Sequence, residues 1–278
     1  MKTGIRATSP AVVALGAELR AARLQARFGL RELAKRAGLS PGHLTNWEAG
    51  YRTPPPDMLS FLLGLLKLPQ AEYTRLRDLA ASTHSTMHAV HLHAGSVRMM
   101  HAYEQVATTI AEWSPTFLPT HLQTRDYTWE MLEHTTPPGA SPESYFFDLS
   151  TTPALAKAGS ATRKSIVGRR SLRNPVISRE TSIVQHEHLL RTLAREPQTI
   201  RLLTAEQEDL PGFTIYTRTD QRPTVALQHS HTTVYLTSEE AVSDYADKLG
   251  HLADRALSPA ETKQYLTERI RELQTGYR

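Results

Sequence analysis

The chain has 278 residues, with 32 Lys and Arg, 28 Asp and Glu, and no cysteine. That length leaves room for two domains and a sizeable core. The missing thiols exclude a disulfide framework and a thiolate metal site, and they fit a reducing cytoplasm. No apolar run approaches a membrane span, and Met1–Pro10 lacks the apolar core of a signal peptide, so a cytoplasmic protein with no membrane partner is expected.

The charge is uneven along the chain. Residues 1–80 hold twelve Lys and Arg against six Asp and Glu, whereas the remainder holds twenty against twenty-two. A basic N-terminal module beside a near-neutral half suits a protein that docks on phosphate with one end only.

Val12–Arg27 reads as a first helix with Val12, Leu15 and Leu19 inward. The run Leu30–Glu48, LRELAKRAGLSPGHLTNWE, then places two short helical patterns on either side of Ala37-Gly38-Leu39. Leu33, Ala34 and Ala37 share one face of the first pattern. Ser40 can cap the second, Pro41 suits its first helical position, and Leu44 and Trp47 recur three apart. Ala34 is small where two helices approach, and Gly38 supplies the positive backbone angle of a tight turn. This is the spacing of a helix-turn-helix with Ser40–Ala49 as recognition helix. A helical hairpin in an ordinary bundle shares it, but the basic flanks favour DNA.

With Leu44 and Trp47 turned inward, Pro41, Gly42, Thr45 and Asn46 face outward, toward a major groove just wide enough for a helix. Asn46 can pair with adenine through two hydrogen bonds, Thr45 offers a hydroxyl and a methyl, and Pro41 and Gly42 permit close approach. The candidate DNA-contacting set is Arg31, Ser40, Pro41, Gly42, His43, Thr45, Asn46 and Arg52. After Gly50-Tyr51-Arg52, the run Pro54-Pro55-Pro56 is a stiff stop. Asp57 caps an apolar helix, Met58–Leu66, and Ala71–Ala80 makes a fifth.

Residues 1–80 resemble the Xre/Cro-type regulators. The resemblance rests on Leu19-Arg20, Arg23, Leu33-Ala34, Gly38-Leu39-Ser40, Leu44, Trp47-Glu48, Gly50, Arg52 and Pro54. It implies that Arg23 pairs with Glu48, the acid that ends the recognition helix. Where that family often opens its second helix with Ser/Thr-Gln, this chain has Gly29 and Leu30, which leaves Arg31 as the better phosphate contact.

Residues 82–96, STHSTMHAVHLHAGS, change character, and a linker is expected over 83–96. If it were helical, His84, His88 and His91 would share a face, with His93 and His101 close by. Imidazoles at that spacing can chelate a metal, but His-rich linkers that bind nothing are commoner, so no metal site is assigned. Beyond it, a helix is expected over Val97–Trp113, broken by Pro115 and Pro119, then another over Leu122–Leu132 and a proline-rich loop, Thr135–Ser144. Ser182–Arg195 reads as a helix. Thr199–Leu203, Phe213–Thr217, Thr224–Gln228 and Thr233–Leu236 read as strands. Ser238–Ala256 and Pro259–Leu273 close the chain as helices, the second opened by the capping box Ser258-Pro259-Ala260-Glu261. The fold class expected is α+β. Its parts are an all-α five-helix helix-turn-helix domain over 1–82, the linker, and a mixed α+β domain over 97–278.

That second half is similar to an uncharacterised domain that follows such a helix-turn-helix in actinobacterial regulators. The similarity rests on Glu104, Ala107, Ile110, Pro115, Leu118-Pro119, Leu122-Gln123-Thr124, Tyr127, Arg169, Glu180, Leu189-Leu190 and Ala256-Leu257-Ser258-Pro259-Glu261. The chain departs from it at Thr120, where a glycine is usual, and near Gln228, where an acid is often found. The similarity implies a regulatory or partner-binding half.

No Gly-rich phosphate loop, G-x-S-x-G elbow or cysteine nucleophile is present, and Leu190 stands where H-E-x-x-H would need its second ligand after His186-Glu187. Residues 149–179 carry seven basic side chains (Lys157, Arg163, Lys164, Arg169, Arg170, Arg173, Arg179) and no acid, expected as a solvated loop. No enzyme activity and no cofactor is therefore expected. The sequence points to a homodimeric repressor reading an inverted repeat in double-stranded DNA, with the C-terminal half sensing a small-molecule effector or small protein partner. An antitoxin-like autoregulator bound to a small protein, and a nucleotide-using enzyme fused to a DNA-binding module, are the alternatives.

Overall fold

The computed structural model describes residues 9–91, 94–136, 139, 141–143, 161–195, 200–204, 210–219, 221–229 and 232–275. Lys157, His93, Thr199 and four residues of the Thr135–Ser144 loop (137, 138, 140 and 144) lie outside them. Five helices come first: α1 (Pro10–Gln25), α2 (Leu30–Arg36), α3 (Pro41–Glu48), α4 (Pro56–Leu65) and α5 (Gln70–Ala81). Next come β1 (Met87–His91), α6 (Ala94–Val106), β2 (Thr109–Ser114), a 3-10 turn over Thr120–Leu122, α7 (Arg125–Thr135) and β3 (Thr162–Gly168). They are followed by α8 (Arg169–Leu172), α9 (Arg179–Arg195), β4 (Ile200–Leu203), β5 (Phe213–Arg218), β6 (Gln221–His229), β7 (Thr232–Leu236), α10 (Glu239–Arg255) and α11 (Pro259–Thr275). The architecture is α+β, an N-terminal helical module followed by a mixed sheet with helices.

The strands form one seven-stranded sheet in the order β1-β7-β6-β5-β2-β3-β4. β2, β3 and β4 run parallel, and the other neighbours are antiparallel. One face packs Trp113, Ile166, Phe213, Ile215 and Val225 against Leu252 and Leu249 of α10. The other face divides in two. Toward β4, Val167, Ile200 and Leu202 meet Leu189 and Leu193 of α9 and Leu266 of α11. Toward β7, Ile110, Tyr216, Ala226 and Tyr235 meet Met99 and Tyr103 of α6.

That second patch also holds Val13 and Ala14 of α1. The stretch Pro10-Ala-Val-Val-Ala-Leu-Gly-Ala is apolar all round, and every one of its residues is buried, because α1 packs on α3 and α5 on one side and α6 on the other. Glu18 of α1 locks this docking: Arg98 of α6 reaches it at 3.0 Å and Arg75 of α5 at 2.8 Å.

Three strands run through segments expected to be something else. Met87–His91, within the expected linker, is an edge strand whose His88 pairs Tyr235. The expected helix Val97–Trp113 ends at Val106, and Thr109–Ser114 is a strand between β5 and β3. Residues 162–168 of the expected basic loop form β3, an interior strand between β2 and the edge strand β4. The physical reason is common to β2 and β3. Their inward positions include Glu112, Arg163 and Ser165, so the alternation of apolar and polar residues that marks a half-buried strand is absent.

Candidate nucleic-acid interface and a buried polar cluster

α2 and α3 are set by local rules. The Ser40 side chain accepts from the His43 N–H at the start of α3, with Pro41 in its first turn. Gly38 takes φ 66° in the turn between the helices. Leu33, Ala34, Leu44 and Trp47 are all buried in one cluster with Leu62 of α4 and Leu66 at its C-terminal cap. Leu44 and Trp47 thus hold α3 by one side only. Arg31, Ser40, Pro41, Gly42, His43, Thr45, Asn46 and Arg52 are all exposed. His43 stacks on Trp47 with ring centroids 6.1 Å apart, and Thr45 Oγ1 donates to the Pro41 carbonyl at 2.9 Å.

The end of α3 is tied inward. Arg23 Nε donates to Glu48 Oε1 at 2.6 Å and Nη2 to Oε2 at 2.8 Å, while Nη1 donates to the Phe28 carbonyl at 2.9 Å. Both side chains are buried. The fork-to-fork geometry satisfies a charge pair that could not otherwise be sunk between α1 and α3. Tyr51, just past the helix, gives its backbone N–H to the Asn46 carbonyl at 2.9 Å.

A second arrangement lies on the sheet face beneath α6. Glu112 and Ser165 are register partners on β2 and β3, and Ser165 Oγ donates to Glu112 Oε1 at 2.7 Å. His121, in the 3-10 turn, brings Nδ1 to 3.4 Å from the same carboxylate oxygen and Nε2 to 3.5 Å from Ser165 Oγ. Burial pushes the Glu112 carboxyl up to about 7 and the His121 imidazole down to about 3. Both effects favour the neutral form, because desolvation penalises charge of either sign. Beside them Arg163 pairs with Glu104 at 3.3 Å, and Glu104 stays below its ordinary range because His101 and Arg163 outweigh its burial. At the end of β5, Arg218 is buried against the ring of Tyr51.

Sequence reasoning found the exposed set and missed this cluster; the only signals were the charged residues inside β-prone segments. Arg163, Arg173 and Arg179 of the expected basic loop are engaged inside the molecule, Arg173 with Glu272 and Arg179 with the Leu273 and Gln274 carbonyls. Among the described residues no three His, Asp or Glu side chains converge as metal ligands, and no helix is long and apolar enough to cross a membrane. His186 of the His186-Glu187-His188 run is buried, its Nδ1 2.6 Å from the Ser182 carbonyl. Gln228 is exposed near the end of β6.

Comparison with known families now fits this geometry. Residues 14–76 match a helix-turn-helix domain, and residues 97–268, more than half of the chain, match the domain of unknown function DUF5753. The chain belongs to the DUF5753 family. Its N-terminal match supports a DNA-binding regulator. No curated protein matches the chain. A solved structure reported as that of TrmBL2, an archaeal chromatin protein with a novel mode of DNA binding, is similar at 13% identity. The likeness covers 82% of this chain and 87% of that one at a TM-score of 0.35, too low to carry an argument.

Proposed function

We propose that this DUF5753 protein is a cytoplasmic, homodimeric transcriptional repressor of the Xre/Cro kind, as found in actinobacteria. It reads an inverted repeat through α3, and its C-terminal half senses a ligand or small protein partner without catalysing a reaction. The observation that carries this is the one-sidedness of α3: Leu44 and Trp47 are buried while Pro41, Gly42, His43, Thr45 and Asn46 stand exposed together. A helix held by one stripe, with polar and small residues on the other, suits insertion into the major groove. A binding rather than catalytic role for the sheet cluster is supported by Ser165. Ser165 is 2% exposed and its hydroxyl donates to Glu112, an arrangement that suits a structural hydrogen bond better than a substrate-facing nucleophile.

Gel shifts on a selected operator test the reading. Asn46→Ala should cost about 1–3 kcal/mol of affinity and relax preference at one base position. Arg31→Ala should weaken binding to all sequences and flatten the salt slope by about one. An Asn46→Ala protein with unaltered affinity and base preference would remove Asn46 as a reader.

A further inference from the structure

Arg218 ends β5 on the polar sheet face and is 4% exposed. Among the described residues none of its three guanidinium nitrogens has a hydrogen-bond partner. Its companion is the ring of Tyr51, with the centroid 4.3 Å from the guanidinium carbon. A ring face attracts a cation but accepts none of the five N–H donors at the guanidinium edge. A buried charge left so incomplete is costly, and folded proteins keep such groups where another partner completes them. The carboxylates on the same face are already engaged, Glu104 with Arg163 and Glu112 with Ser165. A second buried polar group lies within electrostatic reach of Arg218. Among the described residues the buried Tyr103 hydroxyl has no hydrogen-bond partner, and the Arg218 charge acts on it. Tyr103 also stacks between Tyr216 and Tyr235, at 5.1 and 5.2 Å, so the surrounding wall is aromatic.

We propose that Arg218 anchors a binding site for a small molecule bearing an oxyanion, a carboxylate or a phosphate. The site lies in the seam between the helix-turn-helix and the sheet, with Tyr51 as its cover. The guanidinium fork matches either group bidentately, and the Tyr103 hydroxyl supplies a further donor. Tyr51 is itself exposed and sits on the turn after α3. Its N–H is hydrogen-bonded to the Asn46 carbonyl at 2.9 Å. A ligand that displaces the Tyr51 ring from Arg218 therefore pulls on the residue that holds the end of the recognition helix. This gives the sensing role of the C-terminal half a chemistry and a route, and it rests on that reading only for its effect on DNA.

Thermal melting of the full chain without DNA tests the site. Inorganic phosphate and benzoate are titrated separately, with chloride at matched ionic strength as reference. The melting temperature of the wild type should rise with the logarithm of phosphate or benzoate concentration beyond the chloride response, and which anion acts tells phosphate from carboxylate. Arg218→Met should lose that rise and, without anion, melt above the wild type, because an unpaired buried charge is gone. Should that variant fail to fold, Tyr51→Ala carries the test: with the cover removed, the half-saturating anion concentration should fall several-fold. No rise beyond chloride with either anion, a rise retained in Arg218→Met, or an unchanged midpoint in Tyr51→Ala overturns the site. Anion binding that leaves DNA affinity unaltered keeps the site and overturns the sensing reading.

Discussion

Each half of the molecule buries one arginine deeply. Arg23 is 6% exposed and Arg218 is 4% exposed, yet their surroundings are opposite. Arg23 meets both oxygens of Glu48 and the Phe28 carbonyl, so its charge is neutralised and its donors are used. Among the described residues Arg218 has an aromatic ring and no acceptor. The first arrangement is a tie whose parts are all inside the chain. The second is a group whose completing partner the described residues do not supply. Burial alone therefore does not separate a structural charge from a binding one; the inventory of acceptors does.

The sharpest way to break this contrast is to make Arg23 resemble Arg218. Glu48→Ala strands the guanidinium between α1 and α3 and should cost about 3–5 kcal/mol, against about 0–1 for a surface pair. Thermal or urea unfolding of the single variants and of the Arg23→Ala/Glu48→Ala double variant measures it. A cycle without coupling between the two positions would contradict the tie.

A somewhat smaller effect is expected from the approach that brings the pair together. A Cβ placed on Gly16 would lie 2.4 Å from the Trp47 carbonyl and 2.8 Å from that of Glu48. Gly16→Ala should push α1 off α3 and cost about 1–3 kcal/mol, typical of overpacking. Stability equal to the wild type in urea unfolding would show that the helices have slack there.

A pH-dependent effect concerns the neutral polar groups between these extremes. The folded Glu112 carboxyl is raised to about 7 from its ordinary 4.5, so the stability it contributes is complete below about pH 4.5 and is lost as pH rises through about 7. His121 has the opposite sign. Its folded value of about 3 lies below 6.5, so its contribution is present above 6.5 and is lost as pH falls through about 3. Glu112→Gln should flatten the decline in melting temperature between pH 4.5 and 7 and leave the acid limb in place. Parallel profiles for the two proteins would place the Glu112 titration elsewhere.

The two arginines also differ in how far the sequence announces them. Ser40, Pro41 and Gly38 mark helix ends by local chemistry, and Leu33, Ala34, Leu44 and Trp47 mark inward faces by spacing, so the helix-turn-helix is readable residue by residue. The same holds at α11, where Ser258 N–H meets Glu261 and Glu261 N–H meets Ser258 as the capping box implies. The polar sheet face gives no such signal. Glu112, Ser165, Thr214, Thr224 and Arg218 point inward at positions where a strand pattern would show Val or Ile. Their meeting depends on β2 lying between β3 and β5, a pairing across distant segments that no local rule encodes. The docking of α1 on α6 is hidden for the same reason. Val13 and Ala14 look like the surplus of an apolar helix until the second half covers them.

The central claim, that α3 of a paired molecule reads DNA sequence, is tested most directly by selecting binding sites for the full chain from a random pool of duplex DNA. The account predicts enrichment of an inverted repeat with half-sites about 34 Å apart, or a multiple of that, and loss of one base preference in each half-site with Asn46→Ala. A pool that remains random, or a motif that Asn46→Ala leaves unaltered at every position, would contradict it.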